Sequence, residues 1–304
     1  MRAGGGDNLH RHPEQPGEDM RPRPQHSQGG PGHAPTGGEP VSLGFLLLGL
    51  AQGLTEFLPV SSSGHLALVK RLVGLPYLPL AFDVTVHLAT LFAVVFYFRR
   101  RLWGLVLGAL GGEGEALRTV LFVAVASLPT GVLGLSLKDA VEAWGADLRA
   151  VGCGFLLTAS LLLLSKRGRS AGDLGMGGFV LRALAVGVVQ GFALFPGVSR
   201  SGSTISAMLA MGLDRERAFE LSFLMFLPAS LGAFLLEVKE GMPAEAIGGS
   251  SLWLASAALA FSSGLLALSL VGSVVRRGSL WRFAPYCALV GALSFWVEIF
   301  GLGR

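Results

Sequence analysis

Two short stretches of the chain gather side chains that can handle a phosphate group. The first reads Gln52-Gly-Leu-Thr-Glu56-Phe-Leu-Pro59-Val-Ser61-Ser62-Ser63-Gly64-His65, the second Phe195-Pro196-Gly197-Val198-Ser199-Arg200-Ser201-Gly202-Ser203. Gln52 and Glu56 are four apart and share a face of any helix they occupy. Pro59 ends that helix before a loop crowded with hydroxyls, and His65 opens the next one, where unpaired N–H groups attract negative charge. In the second stretch one guanidinium, Arg200, stands at the register that holds Ser62 in the first. A guanidinium fork matches phosphate oxygens, and the surrounding Ser and Gly offer more donors than the Glu56 carboxylate could use.

Each residue also has a plainer role to set beside this. Glu56 and Arg200 could form a structural ion pair, His65 could be a polar helix-start residue, and Ser63, Ser201 and Ser203 could let helices approach closely. Convergence favours chemistry, because Glu, His and Arg are costly in apolar segments. The candidates for catalysis are therefore Glu56, Ser62, His65 and Arg200; Gln52, Ser61, Ser63, Ser199, Ser201 and Gly202 are candidate substrate contacts. Asp83 and His87, four apart, could line the same cavity or its entrance, although an acid also suits a helix start. Glu237 and Glu298 are expected at interfacial or outer positions.

The elements that position these residues are those of a membrane protein. Of the 304 residues, 51% are hydrophobic and 14% charged, against about 25% charged in soluble domains. Apolar stretches of spanning length run over 82–98, 119–137, 150–164, 219–236, 252–275 and 284–300, which predicts six transmembrane helices. The stretches 41–69 and 179–211 are apolar but interrupted by Pro, Gly and Ser, and read as broken, re-entrant helical hairpins. The fold class is thus all-α and polytopic. Arg clusters at 99–101, at 166–169 and between 276 and 282 place those segments in the cytoplasm, and leave the regions of Asp139, Glu142, Glu240 and Glu245 outside.

Offset by 138 residues, Gly49, Gln52, Gly53, Phe57, Val60, Ser61, Ser63 and Gly64 coincide with Gly187, Gln190, Gly191, Phe195, Val198, Ser199, Ser201 and Gly202. The same offset superposes the first three spans on the last three in opposite orientation. This inverted-topology repeat, with halves of about 41–170 and 179–304, should bring both breaks to one site in the membrane interior. Residues 1–40, rich in Gly, Pro, His and Gln, are expected to be a disordered tail without an apolar secretory core, and the irregular spacing of His10, His12, His26 and His33 makes no metal site. Cys153 and Cys287 lie in apolar runs without a ligand pattern and are read as packing residues.

The two motifs, in this order and inside this repeat, resemble the signatures of the undecaprenyl-diphosphate phosphatase family linked to bacitracin resistance, from about Ser42 to Phe300. The resemblance implies hydrolysis of undecaprenyl diphosphate to the monophosphate carrier of cell-wall synthesis, in the bacterial cytoplasmic membrane, with the pocket open to the outside. By motif position Glu56, Ser62, His65 and Arg200 correspond to the family's key residues. Gln52 takes the first position of a Glu/Gln-x-x-x-Glu motif and cannot act as a base, so a two-carboxylate metal site lacks one ligand. A magnesium or calcium ion at Glu56 is admitted, with no organic cofactor. The expected partners are undecaprenyl diphosphate and membrane lipid, not nucleic acid, with a homodimer left open. Ser62, His65 or a water remains the candidate nucleophile. The paired-His mechanism of lipid acid phosphatases does not carry over, because no histidine follows Arg200. The competing class is a lipid or anion transporter, since inverted repeats with broken helices also build transporters.

Overall fold

The computed structural model describes residues 39–73, 80–167, 175–240 and 250–301. Among these residues the chain forms helices α1 (Glu39–Phe57), α2 (Ser62–Val73), α3 (Leu80–Leu110), α4 (Gly114–Ser136), α5 (Lys138–Ala146), α6 (Leu148–Leu164), α7 (Gly175–Phe192), α8 (Arg200–Ala210), α9 (Arg215–Lys239), α10 (Ser251–Arg276) and α11 (Ala284–Ile299), with no strand. The expected tail, its four histidines and Glu245 lie outside the described residues.

Helices α3, α4, α9 and α10 are long and apolar enough to cross a membrane, as is the segment Leu280–Ile299 that contains α11. The expected third span is α6, which with its 17 residues falls short alone and reaches spanning length only with α5, from which it is bent by 105°. The two interrupted stretches are helix pairs, α1 with α2 and α7 with α8, as the Pro, Gly and Ser breaks require.

The helix that holds the first span runs on past Arg99–Arg101 to Leu110. Two of these arginines find partners within the helical run: Arg99 donates to the Phe96 carbonyl at 2.7 Å, and Arg101 pairs with Glu220 at 2.9 Å and Glu115 at 3.0 Å. Arg217, at the start of α9, joins the same network through Glu220 and Thr119. The far part of α3 therefore lies beside the start of α9. At their other ends Asp83 of α3 and Glu237 of α9 line one cavity. The repeat-related helices α3 and α9 run antiparallel, which is what an inverted repeat demands.

The halves interlock. Helix α1 packs on α10 of the opposite half, and its counterpart α7 packs on α4, the counterpart of α10; the related helices α6 and α11 pack on each other. Small residues make these approaches possible. A Cβ on Gly49 would lie 2.9 Å from the Ser256 backbone, one on Gly187 at 2.5 Å from Pro129, and one on Gly152 at 3.0 Å from the Gly291 carbonyl. Between the halves lies a buried core that includes Phe57, Ile205, Met208, Phe223, Met225 and Leu268.

Candidate active site at the two helix breaks

Both breaks use the same cap. After α1, Pro59 cannot continue a helix, and Ser61 adopts a left-handed backbone with φ 65°, a conformation that a non-glycine residue keeps only where its surroundings enforce it. Its hydroxyl accepts from the Gly64 amide at 3.3 Å and its carbonyl from the His65 amide at 3.2 Å, so α2 starts capped. At the second break Ser199 accepts from the Gly202 amide at 3.1 Å and, through its carbonyl, from the Ser203 amide at 2.9 Å. The caps are tied together. The Gly197 amide donates to the Ser61 hydroxyl at 3.1 Å, and Ser201 donates to the Phe57 carbonyl at 3.0 Å. Thr158 of α6 holds the second loop from outside, donating to the Gly197 carbonyl at 2.9 Å and accepting from the Ser199 amide at 2.8 Å.

This fastening brings Glu56 and Arg200 together. The Arg200 Nη2 donates to Glu56 Oε1, while Glu56 Oε2 accepts from Ser62 Oγ at 2.6 Å and from Gln52 Nε2 at 2.9 Å. Arg200 is oriented further by Ser230, 3.1 Å from Nη1, and by the Phe226 ring, whose centroid lies 4.0 Å from the guanidinium carbon. Glu56 is 9% exposed and Gln52 fully buried; with its charge matched by a guanidinium and its lone pairs by donors, the carboxylate can be carried there.

These groups line a cavity of about 320 Å³ whose polar end is formed by Glu56, Ser61, Ser62, Ser63, Ser199 and Arg200, and whose remaining wall includes Leu80, Val84, Leu88, Leu91, Ala233 and Phe234. The N-termini of α2 and α8 meet at the polar end, so their first amides, which have no intrahelical acceptor, add to the positive character around Arg200. An anionic head with an apolar tail fits this division.

Not every candidate reaches the cavity. Gln52, Ser201 and Gly202 stand behind its wall, where Gln52 orients Glu56 and the other two serve the caps. His65 also turns away: its ring stacks on Tyr286, meets Phe155 edge-on, and has both nitrogens engaged, Nδ1 with the Ser61 carbonyl at 2.7 Å and Nε2 with the Tyr286 hydroxyl at 2.7 Å. Asp83 and His87 do line the cavity, and so does Glu237, which the sequence reading placed at the interface. Glu298 pairs with Arg71 at 3.3 Å. Ser230 and Phe226 had no signal in the sequence, being ordinary residues on an apolar helix until Arg200 is seen to lie against them.

Among the described residues no three His, Cys, Asp or Glu side chains converge as a metal shell. Both Glu56 oxygens are occupied by donors, one of them cationic. That donor set does not fit a divalent cation held by the protein alone.

The chain matches the family described as bacitracin resistance protein BacA over residues 45–293. Among curated proteins it is 41% identical over 267 residues to the undecaprenyl-diphosphatase of Desulfosudis oleivorans, covering 83% of this chain and 97% of the relative. It is 42% identical over 258 residues to the undecaprenyl-diphosphatase of Syntrophotalea carbinolica, covering 82% and 96%. A protein of the same name from Korarchaeum cryptofilum is 38% identical over 256 residues, covering 81% and 95%.

Proposed function

The chain belongs to the bacitracin resistance protein BacA family and hydrolyses undecaprenyl diphosphate to undecaprenyl phosphate and phosphate, and we propose that it does so at the cavity between the two helix breaks. This activity recycles the lipid carrier of cell-wall synthesis and accounts for bacitracin resistance. The observation that carries the assignment of the site is the contact of Ser62 Oγ with Glu56 Oε2 at 2.6 Å, beside a carboxylate–guanidinium pair in the wall of an otherwise apolar cavity.

Phosphoryl transfer needs a placed nucleophile and fixed positive charge around the phosphate oxygens. Arg200 supplies the charge, in an orientation set by Ser230 and Phe226. Glu56 accepts the proton of Ser62, whose oxygen attacks the terminal phosphorus. The N-termini of α2 and α8 bind the phosphate oxygens, while the first isoprene units lie along Leu80, Val84, Leu88 and Leu91. His65, held between Ser61 and Tyr286, keeps the α2 cap in register. The cavity faces the outer side of the bacterial cytoplasmic membrane, a reading supported by the Arg clusters of the sequence. The lipid or anion transporter suggested by the repeat finds no support in the names of the relatives.

The test offers farnesyl and undecaprenyl diphosphates to purified protein in detergent and follows free phosphate and lipid monophosphate. Wild-type protein should release both in equal amounts. Binding without release would remove the enzyme reading. In intact cells, a single cysteine placed near Glu240 should react with an impermeant thiol reagent, and one near Arg100 should not; the reverse pattern would invert the orientation.

A further inference from the structure

Hydrolysis through Ser62 has two halves, and the groups described so far serve only the first. Gln52 cannot take a proton, Glu56 is engaged with Ser62 and Arg200, and His65 has both nitrogens committed outside the cavity. One imidazole remains. Outside the N-terminal segment the sequence has two histidines, His65 and His87, and His87 is exposed on the cavity wall that also carries Glu56, Ser62 and Arg200.

Its geometry decides the tautomer. Nδ1 lies 2.7 Å from the Asp83 carbonyl oxygen. A carbonyl can only accept, so Nδ1 carries a proton, and in the neutral imidazole Nε2 presents the lone pair. No partner for Nε2 occurs among the described residues, and the imidazole lines the same cavity as the Glu56 carboxylate. Asp83 is itself fixed by Lys70 at 2.9 Å, which secures the turn of α3 from which His87 projects. The charged groups that line the cavity with the imidazole are Glu56, Asp83, Arg200 and Glu237.

We propose that His87 is the catalytic base of the second half-reaction, activating the water that releases phosphate from Ser62. The inference rests on the reading of Ser62 as nucleophile. In the first half the Ser62 oxygen forms a bond to the terminal phosphorus, the bond from that phosphorus to the bridging oxygen breaks, and lipid monophosphate leaves with the electron pair; the Ser62 proton passes to Glu56. In the second half a water oxygen attacks the phosphoserine phosphorus and gives a proton to His87 Nε2. The bond from phosphorus to Ser62 Oγ breaks, Ser62 regains its proton from Glu56, phosphate departs, and His87 returns its proton to solvent.

The experiment uses full-length protein in detergent and farnesyl diphosphate labelled in its terminal phosphate. His87→Ala and His87→Gln, each confirmed to elute as wild type, should give a burst of farnesyl phosphate equal to the enzyme present, label retained on Ser62, and phosphate release slowed by about 100-fold. Added imidazole should restore release in His87→Ala. Release within about two-fold of wild type in both variants, or equal slowing of both products with no label on the protein, would overturn the role of His87. The underlying reading fails in a different way: Ser62→Ala would then hydrolyse at the wild-type rate and no protein would take up label.

Discussion

At the first break Ser61 caps α2 through Gly64 and His65; at the second Ser199 caps α8 through Gly202 and Ser203, each a repeat later along the chain. The capping hydrogen bonds are shared, but the backbone around them and the side chains on it have diverged. Glu56 has Leu194 as its counterpart, Ser62 has Arg200, Pro59 has Gly197, and His65 has Ser203. The repeated glutamines have parted as well: Gln52 donates to Glu56 at 2.9 Å, whereas Gln190 donates to Thr130 at 3.2 Å inside the packing of α7 on α4. The repeat thus provides two helix N-termini at one place, and divergence gives the nucleophile and its acceptor to one half and the phosphate clamp to the other. Neither half holds a complete site.

The strongest way to break this comparison is to exchange the diverged positions. Glu56→Leu should reduce phosphate release by about 10²- to 10⁴-fold, the usual contribution of a placed proton acceptor, and adding Leu194→Glu should not restore it, because Ser62 would still lack an acceptor. Recovery to within about ten-fold of wild type would mean the halves are interchangeable. Arg200→Lys keeps the charge and loses the planar fork, so turnover should fall about ten-fold or more, with KM changing less than kcat. Near-normal turnover would remove Arg200 from the transition state.

A smaller effect separates the two loops by their backbone. Gly197 has φ 90°, and a Cβ there would run into the Val151 carbonyl. Gly197→Ala should cost about 1–3 kcal/mol of stability, read as a lower Tm in detergent, whereas Pro59→Ala at the matching position should cost below about 1 kcal/mol. Equal losses would show that the two loops are held alike. The smallest effect belongs to the glutamines. Gln52→Leu should lower turnover by roughly three- to ten-fold, since it removes one of the hydrogen bonds on the Glu56 carboxylate. Gln190→Leu should leave turnover unchanged, and parallel losses in the two variants would erase the functional asymmetry.

The legible part of the site was the part with a chemical cost. Glu56 and Arg200 stood out because ions in apolar segments need partners, and Ser62 because it occupies the register of Arg200 in a repeated cap. Periodicity could not tell the two useful histidines apart. His65 and His87 both sit near the start of a helix, and which one faces the cavity depends on how α2 and α3 rotate against α11, α6 and α9. Glu237 looked interfacial for the same reason: its distance from the other motifs along the chain conceals that α9 returns to them antiparallel to α3. The length of the helix was not legible in the Arg99–Arg101 cluster: α3 continues past it to Leu110, with Arg101 paired to Glu115 and Glu220 on neighbouring helices.

By itself the sequence determined that the chain is an all-α membrane protein built on an inverted repeat, because hydropathy, Pro and Gly breaks and repeated identities are local properties of the chain. It also determined which residue types were available for phosphate chemistry. Only the tertiary structure decided that His87 joins Glu56, Ser62 and Arg200 on the cavity wall and that His65 does not. Those relations depend on the rotation of each helix about its axis and on the interlocking of α1 with α10 and α7 with α4, and both are set by contacts between segments far apart in the chain.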